Sequence, residues 1–121
     1  MPKTVLVVDD ESVVVEITQR KLVDNGFEVL TANDGIEAFL RLKSKMPDLI
    51  LLDIQMPRMN GYTFMIEKAK MPEYVDIPVV VLTAYNEMEP LFKRHHIKGY
   101  LLKPLKLQVL VDKVIEILGQ P

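Results

Sequence analysis

Five polar residues in this 121-residue chain stand where an apolar run stops. Asp9 and Asp10 follow Val5-Leu6-Val7-Val8, and Asp53 follows Leu49-Ile50-Leu51-Leu52. Thr83 follows Val79-Val80-Val81-Leu82, and Lys103 follows Tyr100-Leu101-Leu102. Brought together, these residue types define a chemistry. Packed carboxylates repel one another by several kcal/mol at a moderate effective dielectric, so they need a cation. A hard ion that takes few oxygen ligands and keeps its waters suits them, which points to Mg²⁺. Lys103 adds a second positive charge and Thr83 a hydroxyl donor. Such a set stabilises the equatorial oxygens of a transferring phosphoryl group, where catalysis is positioning and charge neutralisation. Asp53, central between Asp10 and Lys103, is the expected nucleophile, because a carboxylate can form an aspartyl-phosphate.

Residues so far apart in sequence converge only if the apolar runs are neighbours in one sheet. Three of the runs are continuously apolar, the pattern of strands buried on both faces of a helix-covered parallel sheet. Phe27-Glu28-Val29-Leu30 is a weaker fourth strand and Tyr100-Leu101-Leu102 a fifth. Helical patterns lie between them. Residues 12–24 carry Val13, Val14, Ile17 and Leu22, with Asn25-Gly26 as the stop. Asp34 with Glu37 forms a capping signal for a helix expected to bury Ile36, Phe39, Leu40 and Met46 before Pro47 ends it. Residues 61–70 read as a helix through Phe64, Met65 and Ala69. Residues 88–95 place Met88, Leu91, Phe92 and His95 on a helical spacing, with Pro90 in the first turn. Leu107, Leu110, Val111, Val114 and Leu118 give the clearest helix.

The expectation is therefore a single α/β domain, residues 1–121, built of five strand–helix repeats with right-handed crossovers into a three-layer α/β/α sandwich. In such a sheet all strand carboxyl ends share one edge, where ligand sites form. Periodicity does not give the strand order; a doubly wound order is the general expectation.

Composition narrows the function classes. The chain is 49 % hydrophobic, enough for a core without disulfides or a structural metal. It has no cysteine, which excludes a thiolate metal site or a cysteine nucleophile. The net charge is −2 and no long basic run appears, so no nucleic-acid footprint is expected. The first apolar stretch is too short for a signal-peptide core, and no run approaches the roughly 20 residues that span a bilayer. A cytoplasmic location without membrane association is the expectation. Adjacent His95 and His96 point apart on a helix and do not make a metal pair. The methionines at 56, 59, 65, 71 and 88 read as gap fillers or contact residues.

Taken in order, the motifs resemble a response-regulator receiver domain of two-component signalling over essentially the whole chain. They are Val8-Asp9-Asp10-Glu11, the stretch Leu52-Asp53-Ile54-Gln55-Met56-Pro57-Arg58-Met59-Asn60-Gly61, Leu82-Thr83-Ala84, and Tyr100-Leu101-Leu102-Lys103-Pro104. The resemblance implies a flavodoxin-like (βα)5 fold with parallel sheet order 2-1-3-4-5. It implies Asp53 as phosphoacceptor, and Mg²⁺ held by Asp10, Asp53 and the main-chain carbonyl of Gln55, with Asp9 acting mainly through water. It further implies Thr83 and Lys103 as phosphoryl contacts, Tyr100 as an aromatic switch and a cis peptide before Pro104. Gln55 and Tyr85 would flank the route of the water that removes the phosphoryl group, so the bulky Tyr85 is expected to slow hydrolysis. The implied partners are a sensor histidine kinase or histidine phosphotransfer protein as donor and a downstream protein or fused output domain as target. A phosphorylation-dependent dimer is also within the family's range. Two stretches depart from the common pattern. Asn60 stands where Asp is frequent, and His95-His96-Ile97-Lys98-Gly99 replaces a small-residue turn before the fifth strand. The second change touches the helix the family uses for partner contact.

Other readings compete. An aspartyl-nucleophile phosphatase would need an acid two residues after Asp53, where Gln55 stands and cannot exchange a proton. A flavin or nucleotide module would need a Gly- or hydroxyl-rich loop after the first strand, where Asp9-Asp10-Glu11 would repel phosphate. A degenerate receiver acting as a binding adaptor would be expected to lack part of the five-residue set, which is complete.

Overall fold

The computed structural model describes residues 2–54, 56, 59–83 and 97–120. The strands are β1 (Thr4–Val8), β2 (Glu28–Ala32), β3 (Leu49–Asp53), β4 (Val79–Thr83) and β5 (Ile97–Leu102). The helices among the described residues are α1 (Ser12–Asp24), α2 (Gly35–Ser44), α3 (Gly61–Ala69) and α4 (Leu107–Leu118). The expected 88–95 helix, with Pro90 and His95-His96, lies outside the described residues, as do Gln55 and Tyr85.

All strand pairs are parallel and the order is β2-β1-β3-β4-β5, the flavodoxin-like arrangement. The three continuously apolar runs, β1, β3 and β4, are buried at every position. Their alternate side chains feed two cores, as the two-residue period of a strand requires. Leu6, Val8, Ile50, Leu52, Val79 and Val81 face α2 and α3. Val5, Val7, Leu49, Leu51, Val80 and Leu82 face α1 and α4. Edge strand β2 is only half-buried over most of its length, which explains its weaker apolar signal.

Local signals set the helix boundaries. Asn25 and Gly26, the latter at φ 93°, turn the chain out of α1. The Asp34 carboxylate accepts from the Glu37 N–H at 2.8 Å, and the Glu37 carboxylate accepts from the Asn33 N–H at 3.0 Å. The box therefore closes one residue earlier than the usual return to the cap residue itself. Asn60 caps α3 by accepting from the Thr63 N–H at 2.9 Å.

Four expectations are corrected. In α1 the buried positions are Thr18 and Leu22, while Val13 and Ile17 are exposed. In α2 the face on the sheet is Gly35, Ala38 and Leu42, and Ile36, Leu40 and Met46 are exposed. Small residues there let the helix approach the sheet, so the neighbouring large apolar stripe is turned outwards. In α3 Ala69 is exposed and Lys68 takes the inner position. Finally, Ile97-Lys98-Gly99 is strand rather than turn. Val79 pairs with Ile97 and Val80 with Gly99, so Lys98 is the extra residue of a bulge.

Candidate functional site

The shared carboxyl edge of the sheet gathers the residues. Val8 pairs with Leu52 and Asp53 with Leu82, so Asp9, Asp53 and Thr83 leave three adjacent strands at nearly one level. The Lys103 N–H donates to the Thr83 carbonyl at 2.8 Å, which extends the β4–β5 ladder and carries Lys103 to the same edge. The Lys103–Pro104 peptide is cis.

The loop after Asp53 is held against α3. The Gly61 N–H donates to the Ile54 carbonyl at 2.8 Å. A Cβ on Gly61 would lie 2.7 Å from Ile54 Cα and 2.8 Å from the Asp53 carbonyl oxygen, so no other residue fits without moving backbone. Glycine is required there by that close approach.

Asp9, Asp10 and Asp53 each offer a carboxylate oxygen, and these oxygens lie within 4.8 Å of one another. Asp9 and Asp53 are buried and Asp10 is exposed. Lys103 Nζ lies 3.0 Å from Asp9 Oδ2, 3.1 Å from Glu11 Oε1 and 3.4 Å from Asp53 Oδ2. Burial alone would lower the Lys103 pKa. The Asp9 carboxylate, then the Asp53 charge and the Glu11 hydrogen bond, outweigh that and hold it above its ordinary value. Lys103 is thus a permanent cation at any physiological pH.

One ammonium among four carboxylates leaves a local excess of negative charge. The buried Asp9 Oδ2 has charge contact with Lys103 but no aligned hydrogen-bond donor. Asp9 Oδ1, by contrast, accepts from the Glu11 N–H at 3.0 Å. An oxygen-only donor set with surplus charge and a side open to water through Asp10 fits a hard divalent cation such as Mg²⁺.

Thr83 is buried at the end of β4. Tyr100 pairs with Val81, is half-buried and packs against the core beneath α2 and α3. A groove of about 430 Å³ runs from Tyr100 past Leu102 to Val109 of α4. Asp9, Asp10, Asp53, Thr83 and Lys103 therefore share one edge, with Tyr100 two residues below it on β5. Sequence reasoning missed the part played by Glu11, whose acidic neighbours concealed it as ordinary helix N-terminal charge. It also missed Lys68, the one fully buried cation among the described residues, which offered only an i, i+3 step from Met65.

Comparison with known proteins follows the same lines. Residues 5–115 match the family described as "Response regulator receiver domain". The chain is 38 % identical over 87 residues to the alkaline phosphatase synthesis transcriptional regulatory protein PhoP of Bacillus subtilis, covering 72 % of this chain and 35 % of that protein. It is 33 % identical over 121 residues to the response regulator MprA of a Mycobacterium species, covering 94 % of this chain and 50 % of that one. It thus spans between about a third and a half of these curated relatives. The chemotaxis protein CheY4 of Vibrio cholerae superposes with a TM-score of 0.90 at 30 % identity, covering 98 % of this chain and all of that one.

Proposed function

Because the chain belongs to the response regulator receiver domain family of two-component signalling, we propose that it is a switch that accepts a phosphoryl group on Asp53. The observation that carries this reading is the placement of the buried Asp53 carboxylate within one edge cluster with Asp9, Asp10 and Lys103.

An Asp53 carboxylate oxygen attacks phosphorus in line with the leaving group. For a phosphohistidine donor the P–N bond breaks and its electron pair leaves on the imidazole nitrogen. Asp9, Asp10 and Asp53, with the Gln55 main-chain carbonyl, would hold Mg²⁺, which when bound neutralises charge on the phosphoryl and carboxylate oxygens. Lys103 Nζ turns to the phosphoryl oxygens, and the Thr83 hydroxyl donates to another. These charge-assisted hydrogen bonds form only with the phosphorylated state, so they bias the domain towards it. Shifting a two-state equilibrium from 1:99 to 99:1 takes about 5.5 kcal/mol of differential stabilisation. Inward packing of Tyr100 then reshapes the face of β5 and α4. That face regulates a partner or an output domain, with the donor a sensor histidine kinase or phosphotransfer protein in the cytoplasm.

Mass spectrometry after incubation with Mg²⁺ and acetyl phosphate tests this. Wild type gains one phosphoryl group, mapped to Asp53, and Asp53→Asn gains none. Equal modification of both proteins would refute the assignment.

A further inference from the structure

Glu11 makes a contact that the phosphoryl chemistry does not require. It is the N-cap residue of α1, but its side chain makes no capping hydrogen bond. Instead its carboxylate accepts from Lys103 Nζ at 3.1 Å, spanning 92 positions of sequence. An ammonium has three N–H donors. Three carboxylates already crowd it, at 3.0, 3.1 and 3.4 Å. An arriving phosphoryl oxygen must share Lys103 with these anions, and engages it most fully when one of them withdraws.

The three are not equally able to do so. The Asp9 side chain has no solvent exposure, and its other oxygen is held by the Glu11 N–H. Asp53 is the group being esterified, so its negative charge passes to the phosphoryl oxygens and its contact with Lys103 becomes theirs, which leaves Asp9 and Glu11 as the competing anions. The Glu11 side chain is 59 % exposed and hangs from a flexible stem. It also has room to move, because it borders an open groove of about 620 Å³ that runs between α1 and the β5–α4 connection past Val14, Ile17 and Leu107.

We propose that Glu11 is an internal stand-in for the phosphoryl group. It holds Lys103 in the unphosphorylated state and is expelled into the α1 groove when a phosphoryl oxygen takes its place. Glu11 is in this sense a positioning residue that acts through Lys103 and opposes activation. The inference rests on the phosphoacceptor reading of Asp53. A purely structural role would predict the opposite sign, since losing a stabilising contact at the site would weaken anion binding.

Beryllium fluoride, a phosphoryl mimic, gives the test. Its affinity is measured calorimetrically at saturating Mg²⁺ for wild type, Glu11→Gln and Glu11→Asp, with urea midpoints to confirm that all three fold. Glu11→Gln removes the competing charge. Glu11→Asp keeps the charge but shortens its reach to Lys103. Both variants bind roughly two- to fivefold tighter than wild type, the size set by releasing an ion pair with one exposed partner. If Glu11→Gln binds no tighter than wild type, the proposal fails. If Glu11→Asp behaves as wild type while Glu11→Gln tightens, the effect is general repulsion of the anion and the proposal again fails. Failure of wild type itself to bind would instead overturn the phosphoacceptor reading, and this one with it.

Discussion

Lys68 is buried, and among the described residues no carboxylate is in salt-bridge contact with it. Its side chain lies inside α3, 1 % exposed, and Nζ donates to the Val75 carbonyl at 3.0 Å. Burial lowers its pKa from 10.5 to about 8, against a smaller opposing attraction from Asp76. The sign of the linkage follows. Below pH 8 the folded and unfolded chains both carry the ammonium, and the folded chain bears the cost of burying it. Between pH 8 and pH 10.5 the folded chain loses its proton first. The unfolded chain then binds more protons and stability rises with pH. A shift from 10.5 to about 8, at about 1.4 kcal/mol per pH unit, corresponds to about 3 kcal/mol.

Lys68→Met removes the charge and keeps most of the apolar stem. It also strips the Val75 carbonyl of its donor, at about 1–3 kcal/mol. At pH 7 the two effects nearly cancel, so variant and wild type have similar stability. At pH 10.5 the wild-type amine is neutral and still donates, so only the lost hydrogen bond separates the two. Urea unfolding of both proteins at intervals across this range should show their difference moving by about 3 kcal/mol in favour of wild type. Other titrating groups are common to both chains and drop out of the comparison. Parallel curves, with a constant offset from neutral to alkaline pH, would refute the reasoning.

Four further outcomes are expected. Gly61→Ala drives a Cβ into the Ile54 and Asp53 backbone, destabilising by about 1–3 kcal/mol and slowing acetyl-phosphate labelling of Asp53. Gly35→Ala meets Met59 side-chain atoms first, at 2.6–2.8 Å, rather than backbone, and is the milder change in the same urea and labelling assays. Asp34→Ala removes the acceptor for the Glu37 N–H and costs about 1 kcal/mol, read as a lowered urea midpoint at unchanged slope. Tyr85→Ala speeds loss of the phosphoryl group, measured from purified phosphoprotein; an unchanged or slower rate contradicts a shielding role for Tyr85.

The legible part of this molecule is what repeats or what stands alone. β1, β3 and β4 are buried on both faces, so their apolar runs are unbroken, and the polar residue that ends each run is conspicuous. That is why Asp9, Asp53 and Thr83 are legible in the sequence itself. The order of the strands leaves no periodic trace; it came with the motif resemblance. Helix faces were less legible. Two apolar stripes compete on α2, and bulk favours Ile36 and Leu40, but the sheet takes Ala38 and Leu42 because close approach favours a small residue. Lys68 was invisible because its acceptor is a main-chain carbonyl, which every residue carries. The Glu11–Lys103 pair was hidden by distance along the chain and by the acids beside it.

Parallel strands give the domain a polarity that outlasts its chemistry. Each strand enters the sheet from the same side, near Lys3, Gly26, Asp48 and Pro78, and main-chain hydrogen bonds such as Glu28 N–H to Lys3 and Asp48 N–H to Thr4 bind that margin together. Those entrances stand a full strand away from Asp9, Asp53 and Thr83. The molecule accordingly has a working end and a blank end. A fluorophore, tether or foreign loop grafted at the Asn25–Gly26 turn would ride on the blank end and leave the working end undisturbed.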